Sequence, residues 1–317
     1  VAKFICYKLD LFSPIMKFAH VINPVNAPAG SELSVIQPIT FEAIRKAYEF
    51  CEGKSEVELY TVSYPEDHAI IPTYFKKLPD LTRSVLDIAK FSTIRKYPLM
   101  IDVFNAVYNG SNAGYLIFTN MDINLMPHFY AAVDDILNEG YDALLINRRG
   151  ISGKYTKVEE LPLMYAEFGK PHPGFDCFVF RRELLGKLIL ENICVGVSFS
   201  EVALVHNLIA FAQNLKLVDD MHLTFHIGSE VMPPLNPEYY GHNRREYEDK
   251  IYPRLKPLLD IRKFPYAALS FYKRLIKWAL NPSFRTQQVV EMEGKSFWRR
   301  MKYRVDGVRF GWLERLK

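Results

Sequence analysis

Asn120 and Asp122 stand two residues apart at the end of Tyr115-Leu-Ile-Phe-Thr119, five strand-forming residues in a row. In an open α/β sheet, ligands bind beyond the carboxyl ends of the strands. An amide and a carboxylate at alternate positions of an extended chain point to the same side. Oxygen donors so arranged suit a hard divalent cation, Mg2+ or Mn2+, that completes its shell with water and substrate phosphates. The same pair also suits the cap of a following helix, and spacing alone leaves both uses open. Other chemistries fall away on inspection. No GxGxxG is present, so the dinucleotide fingerprint is missing. Gly53-Lys54-Ser55 imitates the end of a P-loop, but Tyr48 stands where its first glycine belongs. His222 and His226 are four apart, yet Leu-Thr-Phe between them favours a strand over a zinc-binding helix. Asn109-Gly110-Ser111 is a glycosylation sequon in form, which chance explains.

The elements that must hold Asn120 and Asp122 are legible from periodicity. Phe18–Asn23 is an apolar run closed by Asn23-Pro24, a buried strand ending in a turn. Residues 38–52 open with Pro38 at a helix-start position, and Phe41, Ile44, Ala47, Tyr48 and Cys51 then share one helical face. Val57–Tyr64 alternates and is rich in β-formers, which predicts a second strand. Helical patterns follow over 85–109, interrupted near Pro98, and over 127–138. Further strands are expected at 142–147, 175–181 and 222–227, with a helix over 200–214. Strands spaced by helices of this length imply right-handed crossovers. The prediction is an α/β fold, a doubly wound, mostly parallel sheet flanked by helices.

Composition agrees with a globular chain. Its 317 residues are 49% hydrophobic and 24% charged, which excludes a disordered protein or a small disulfide scaffold. Cys6, Cys51, Cys177 and Cys194 form no CxxC pair, so a zinc ribbon is not indicated and a reducing compartment fits. No apolar run reaches the roughly 18 residues that span a bilayer. Val1–Ile15 does not read as the start of a domain; either Met16 is the natural start or the stretch is a short extra element. Lys8 and Asp10 interrupt its apolar residues, which disfavours a signal peptide. The net charge of +4 conceals a split. Residues 251–317 carry 16 Lys/Arg against five Asp/Glu, while the first 250 residues are net acidic.

TNMDINLMPHFYAAVDDIL (119–137), followed by YDALLINRR (141–149), resembles the centre of a GT-A-type nucleotide-sugar glycosyltransferase. In that superfamily a strand ends in an Asp-x-Asp-like motif that holds a divalent ion and the donor diphosphate. Asn120-Met121-Asp122 occupies the motif's place, with Asp122 matching its second acid and Asn120 departing from the first. Further segments resemble the family in the expected order. Phe18–Pro24 is similar to the first strand, whose end, at Asn23 and Pro24, cradles the nucleotide base. His172–Arg182 is similar to the strand after the donor site, Gly196–Glu201 to the segment delivering the catalytic base, and Thr224–Gly228 to the late histidine segment. The resemblance covers roughly residues 16–230.

The resemblance implies a transfer from a nucleotide-sugar donor to a carbohydrate or lipid-linked acceptor, with Mn2+ or Mg2+ as cofactor. Asp122 and His226 are the implied metal ligands. Glu201 is the preferred base, although Ser198–Glu201 also suits a helix N-terminus, and Asp176, which follows Gly174, a residue that permits close backbone approach to a ligand, competes for the role or would hydrogen-bond sugar hydroxyls. Asn120, Arg148, Arg149 and His172 are expected near the nucleotide-sugar, together with Asn23 and Pro24. Tyr239, Tyr240 and Tyr247 suit either sugar stacking or a packed lid. Two other functions compete. A nucleotidyltransferase normally carries a basic, Gly-rich loop after its first strand, whereas Asn23–Gly30 holds no basic residue. A degenerate transferase that only binds glycan or a partner is suggested by Asn120.

The expected organisation is an N-terminal extension (1–15), a catalytic domain (16–235) and a basic, aromatic-rich, mainly helical C-terminal region (236–317). PYAALSFYKRLIKWAL (265–280) mixes apolar and basic residues at helical spacing. Such a segment suits an anionic membrane surface or packing on the acidic body. No nucleic-acid fingerprint accompanies the charge. The expected location is cytoplasmic, with peripheral contact on the inner face of the membrane.

Overall fold

The computed structural model describes residues 15–228, 236–264 and 266–280. Its first strand, β1 (Lys17–Ile22), leads through a loop to helix α1 (Glu32–Phe50). Ser31 caps α1 by accepting a hydrogen bond from the Ser34 backbone N–H. The helix therefore starts well before Pro38, where the sequence pattern set it. Leu33 and Ile36 extend the apolar stripe backwards, and Pro38 is tolerated inside. Next come β2 (Glu56–Thr61), the two-residue β3 (Lys76–Lys77) and α2 (Met100–Gly110).

The helical expectation over 85–109 holds only for its second half. Ser84 and Asp87 cap a single 3-10 turn at Val85–Asp87, and irregular chain continues from there to Pro98. The residue before a proline is biased away from helical geometry, so α2 starts after it.

β4 (Tyr115–Thr119), β5 (Asn124–Leu125) and α3 (Phe129–Asn138) follow. β6 (Ala143–Ile151) and β7 (Lys170–Arg181) are joined across the short helix α4 (Leu161–Ala166). α5 (Ser200–Phe211), β8 (Leu215–Val218) and β9 (Thr224–Ile227) complete the sheet. Among the described residues, nine strands form one sheet in the order β3-β2-β1-β4-β7-β6-β9-β5, with β8 also beside β6. Most ladders are parallel, but β7 runs antiparallel to both β4 and β6, and β5 antiparallel to β9. The fold is thus mixed α/β, its reversal falling beside the strand that ends in Asn120.

Strand alternation sends side chains to two apolar layers. Ala19, Val21, Leu116 and Phe118 pack with Phe104 of α2 and Leu204 and Leu208 of α5. Phe18, Ile22 and Ile117 pack on the other face, with Ile44 of α1 and Phe129 and Val133 of α3. The helices therefore clamp the sheet from both sides and leave its strand-end edge to the loops. Beyond residue 235, α6 (Pro237–Arg245) passes through a π-helical turn at Glu246–Ile251 into α7 (Tyr252–Leu255). Tyr247, Ile251 and Leu255 share a core cluster with Ile193, Val202 and Ala203, so these turns pack directly on α5. α8 (Phe271–Leu280) is the last described element. The expected N-terminal extension, apart from Ile15, and residues 281–317 lie outside the described residues.

Candidate active site

β1 and β4 are adjacent and parallel, with Val21 beside Phe118. Extending that register sets Asn23 beside Asn120 at the same carboxyl edge. Asn23 is committed to β2's end by donating from Nδ2 to the Val62 carbonyl at 2.6 Å. The loop beyond Pro24 is fixed by two side chains. Gln37 of α1 pairs with both backbone groups of Val25, and Asp67 accepts from the Asn26 N–H at 2.7 Å. This loop is rigid without a basic residue in it.

After Thr119 the chain leaves the strand in a turn, and Asn120 and Asp122 part company. Asn120 donates from Nδ2 to Glu201 Oε1 at 3.5 Å. Asp122 meets His226 of β9, with Oδ2 3.3 Å from Nε2, and 37% of its side chain stays open to solvent. Arg148 of β6 sits behind them and pairs with Asp176 of β7, Nη1 to Oδ2 at 3.0 Å, both nearly buried. Six predicted residues from β4, β6, β7, β9 and α5 are thereby brought together.

The electrostatics of this cluster divide its acids. Burial pulls the Asp122 carboxyl upward, but the hydrogen bond and charge of His226, helped by Arg148, overcome it and hold Asp122 below the usual range. Among the described residues Glu201 has no cationic partner of that kind. Burial, then the charge of Asp176, raise it to about 7, against the weaker pull of its backbone, Ser200 and Asn120. Asp176 is itself raised by burial despite Arg148. Glu201 is only partly buried. Asp176 is sealed against Arg148, so Glu201 is the better exposed of the two candidate bases.

His172 lies in the same neighbourhood. Its Nδ1 accepts from the Gly174 N–H at 2.9 Å, and Asn147 donates to the carbonyls of both His172 and Gly174. A Cβ on Gly174 would come within 2.8 Å of the imidazole, which explains the glycine. Burial, with the nearby charges of Arg148 and His226, lowers His172 to about 4, so it is neutral at physiological pH. The register of β6 against β7 shifts on both sides of Asn147, a bulge that re-aims the chain at the site.

The structure separates Arg149 from this group. Alternation along β6 sends it to the opposite face, where its guanidinium lies over the Phe168 ring at 3.8 Å and donates to the carbonyls of Phe168 and Gly169. Arg149 is therefore not among the side chains gathered around Asp122 and Glu201. Of the two uses open to Tyr239 and Tyr247, the structure shows packing, since both are buried. Tyr239 bonds backbone at residues 93–95, and Tyr247 bonds His206. Tyr240 packs on Phe199 with ring centroids 5.5 Å apart.

Sequence reasoning missed Lys96, which lies 3.8 Å over the Tyr64 ring just beyond β2 and pairs with Glu66. It also missed Asn147 and Asn243, buried amides whose partners are distant in sequence. No local motif announces such residues.

No protein-family model matches the chain, and no curated protein matches it. Among solved structures, it is similar to residues 1–349 of S. aureus TarS, at 12% identity over 89% of this chain and 74% of that one, with a TM-score of 0.47. The same TarS fragment in complex with UDP gives 12% identity over 85% and 80% of the two chains and a TM-score of 0.48. A mycobacterial protein gives 14% identity over 73% and 72%, with a TM-score of 0.43.

Proposed function

We propose that this chain is a glycosyltransferase that moves a sugar from a nucleoside diphosphate donor to a hydroxyl of a carbohydrate or lipid-linked acceptor. The observation that carries the reading is the division of two carboxyls at one strand-end edge. Asp122 is held in its charged form, while Glu201 is poised near neutrality. Pairs of acids pushed apart by their surroundings mark acid–base roles. A base works best when its pKa lies near the working pH.

In this reaction the acceptor oxygen bonds to the anomeric carbon as the bond from that carbon to the diphosphate oxygen breaks. The bonding pair leaves with the diphosphate, and the acceptor proton passes to a Glu201 carboxylate oxygen. Asn120 steadies that carboxylate through its amide, and Asp176 raises its basicity by repulsion. Arg148 lends positive charge to the donor side, where negative charge builds. Glu201 acting as base on a directly attacking acceptor predicts inversion at the anomeric centre.

A divalent ion fits the donor set in part. Asp122 and His226 supply one carboxylate oxygen and one imidazole nitrogen, while Asn120 is turned to Glu201. Among the described residues no group of three His, Cys, Asp or Glu comes together for a metal. Two protein donors suit Mg2+ or Mn2+ when water and substrate phosphates complete the shell. Asp122 and His226 would hold the ion, and it would neutralise diphosphate charge.

The reading extends to where the acceptor is met. On α8, Tyr272 and Ile276 are 77% and 60% exposed on one helical stripe, beside exposed Lys273 and Lys277. That pairing of apolar and cationic side chains supports contact with an anionic membrane surface. Among the described residues no helix is long and apolar enough to cross a membrane.

Isothermal titration with UDP-, GDP- and dTDP-linked sugars in Mn2+ tests the function. Binding of one donor class, lost in Asp122→Ala, is the expected result. No binding to any of them, with the variant indistinguishable from the parent, sinks the reading.

A further inference from the structure

Glu201 is the second residue of α5, so its position is set by the loop that ends at Phe199. That loop is held in an unusual backbone. Gly196 and Phe199 both have left-handed φ, +78° and +79°. A left-handed non-glycine residue costs roughly 1–2 kcal/mol and persists only where its surroundings over-determine it. The surroundings here come from α6 and the turn after it, some 40 residues further along the chain.

Asn243 of α6 is completely buried and spends its whole amide on this loop. Its Oδ1 accepts from the Cys194 backbone N–H at 2.9 Å and from the Cys194 thiol at 3.2 Å. Its Nδ2 donates to the carbonyls of Cys194 at 2.9 Å, Val197 at 3.3 Å and Ser198 at 3.2 Å. His242 and Glu246 both grip Asn192, His242 at its carbonyl and Glu246 at its N–H. The Phe199 ring is wedged between Tyr240 and Tyr247, with centroids 5.5 and 5.6 Å away. From the other side, the Pro98 carbonyl accepts from Val195, and the Met100 N–H donates to Ile193.

We infer that Asn243 is a positioning residue: through the 194–199 loop it fixes the start of α5 and so the placement of Glu201. This rests on the reading of Glu201 as the base. A packing role for Asn243 would need only a space-filling amide on one or two carbonyls. Instead a single side chain satisfies both backbone groups of Cys194 and the two carbonyls immediately before Phe199, which pins the loop at both ends. A helix beyond the expected end of the catalytic domain at residue 235 thereby completes the site.

The test is a double-mutant cycle on the full chain, with Asn243→Ala, Glu201→Gln and the two combined, assayed for sugar transfer at a temperature where circular dichroism shows every variant folded. Val133→Ala, buried under the opposite face of the sheet, serves as the control for simple destabilisation. A misplacement of about 1 Å can cost about a hundredfold in rate. Asn243→Ala is therefore expected to lower kcat ten- to a hundredfold with donor KM within twofold of the parent, while Val133→Ala keeps the parental kcat. The combined variant is expected to be no slower than Glu201→Gln alone, because the two changes remove one function. Additive losses, or an Asn243→Ala kcat equal to that of Val133→Ala, overturn the inference. Parental activity in Glu201→Gln overturns the base reading instead, a separate and recognisable failure.

Discussion

Replacing Glu201 with Gln should make the protein more stable and nearly inactive, and the stability gain should depend on pH in a specified direction. The carboxyl is raised from 4.5 to about 7 by burial and by Asp176. A raised folded-state pKa means that the native state binds the proton more tightly than the unfolded chain. The resulting stability is fully present below about pH 4.5 and is lost as pH rises through about 7. At about 1.4 kcal/mol per unit, the whole span is worth about 3 kcal/mol. Glu201 is partly open to solvent, and screening reduces this to ~1–2 kcal/mol. Gln does not titrate and keeps an amide oxygen for Asn120. Urea unfolding of parent and variant at pH 5, 6, 7 and 8 should therefore show a difference that grows by ~1–2 kcal/mol from pH 5 to 8. Transfer activity at pH 8 should fall by about 10²–10⁴. A difference that is flat with pH would refute the electrostatic argument, and retained activity would refute the catalytic one.

Asn120→Asp sets a second carboxylate beside Glu201 Oε1, and a like charge at that range should move the alkaline-rising limb of the pH–rate profile upward by about 1–3 units. Gly174→Ala forces the His172 imidazole aside, which should cost about 1–2 kcal/mol in chemical denaturation and raise donor KM. Paired Tyr272→Ser and Ile276→Ser should cut cosedimentation with phosphatidylglycerol-containing vesicles at least tenfold, and 0.5 M salt should weaken the parent's binding too. Equal binding to purely phosphatidylcholine vesicles would remove the case for an anionic surface.

Much of the sheet was readable because its strands are short and almost wholly apolar. Tyr115–Thr119 is predicted at its observed bounds, and Asn120 and Asp122 fall at the edge where strand ends gather ligands. The convergence of Glu201, Asp176, Arg148 and His226 follows from the order of the family-like segments. What stayed hidden depends on contacts across the chain. The antiparallel course of β7 is set by its neighbours and leaves no mark in its own pattern. Arg148 and Arg149 look equivalent in sequence, and only the pleat, locked by β9 pairing, sends one to the site and the other to Phe168. In helix α1, Pro38 imitates a start, while Ser31 supplies the real cap through a contact that periodicity does not encode. The charge split points to a boundary near residues 235–250, yet α6, the π-helical turn and α7 bury Tyr239, Tyr247 and Leu255 against the body. Residues 237–255 carry four Lys/Arg and four Asp/Glu, so net charge marks no break there, while their buried aromatic and aliphatic side chains decide the packing.

The departure at Asn120 takes on a different meaning once its neighbour is known. Read from the motif alone, an amide in place of the first acid suggests a weakened metal site and a transferase in decline. In the fold, that side chain is directed to Glu201 at 3.5 Å, while Asp122 turns to His226. An acid at position 120 would add a like charge beside a carboxyl already raised by burial and by Asp176, and would keep it protonated well above neutral pH. The amide does the reverse, since its N–H favours the ionised form of Glu201. Arg148 meanwhile supplies positive charge close to both Asp122 and Asp176. Part of the charge compensation that a complete Asp-x-Asp pair would draw from a metal is thus built into the protein. If Glu201 is the base proposed above, an amide one hydrogen bond away is what its ionised form requires, and Asn120 is then no sign of a degenerate motif.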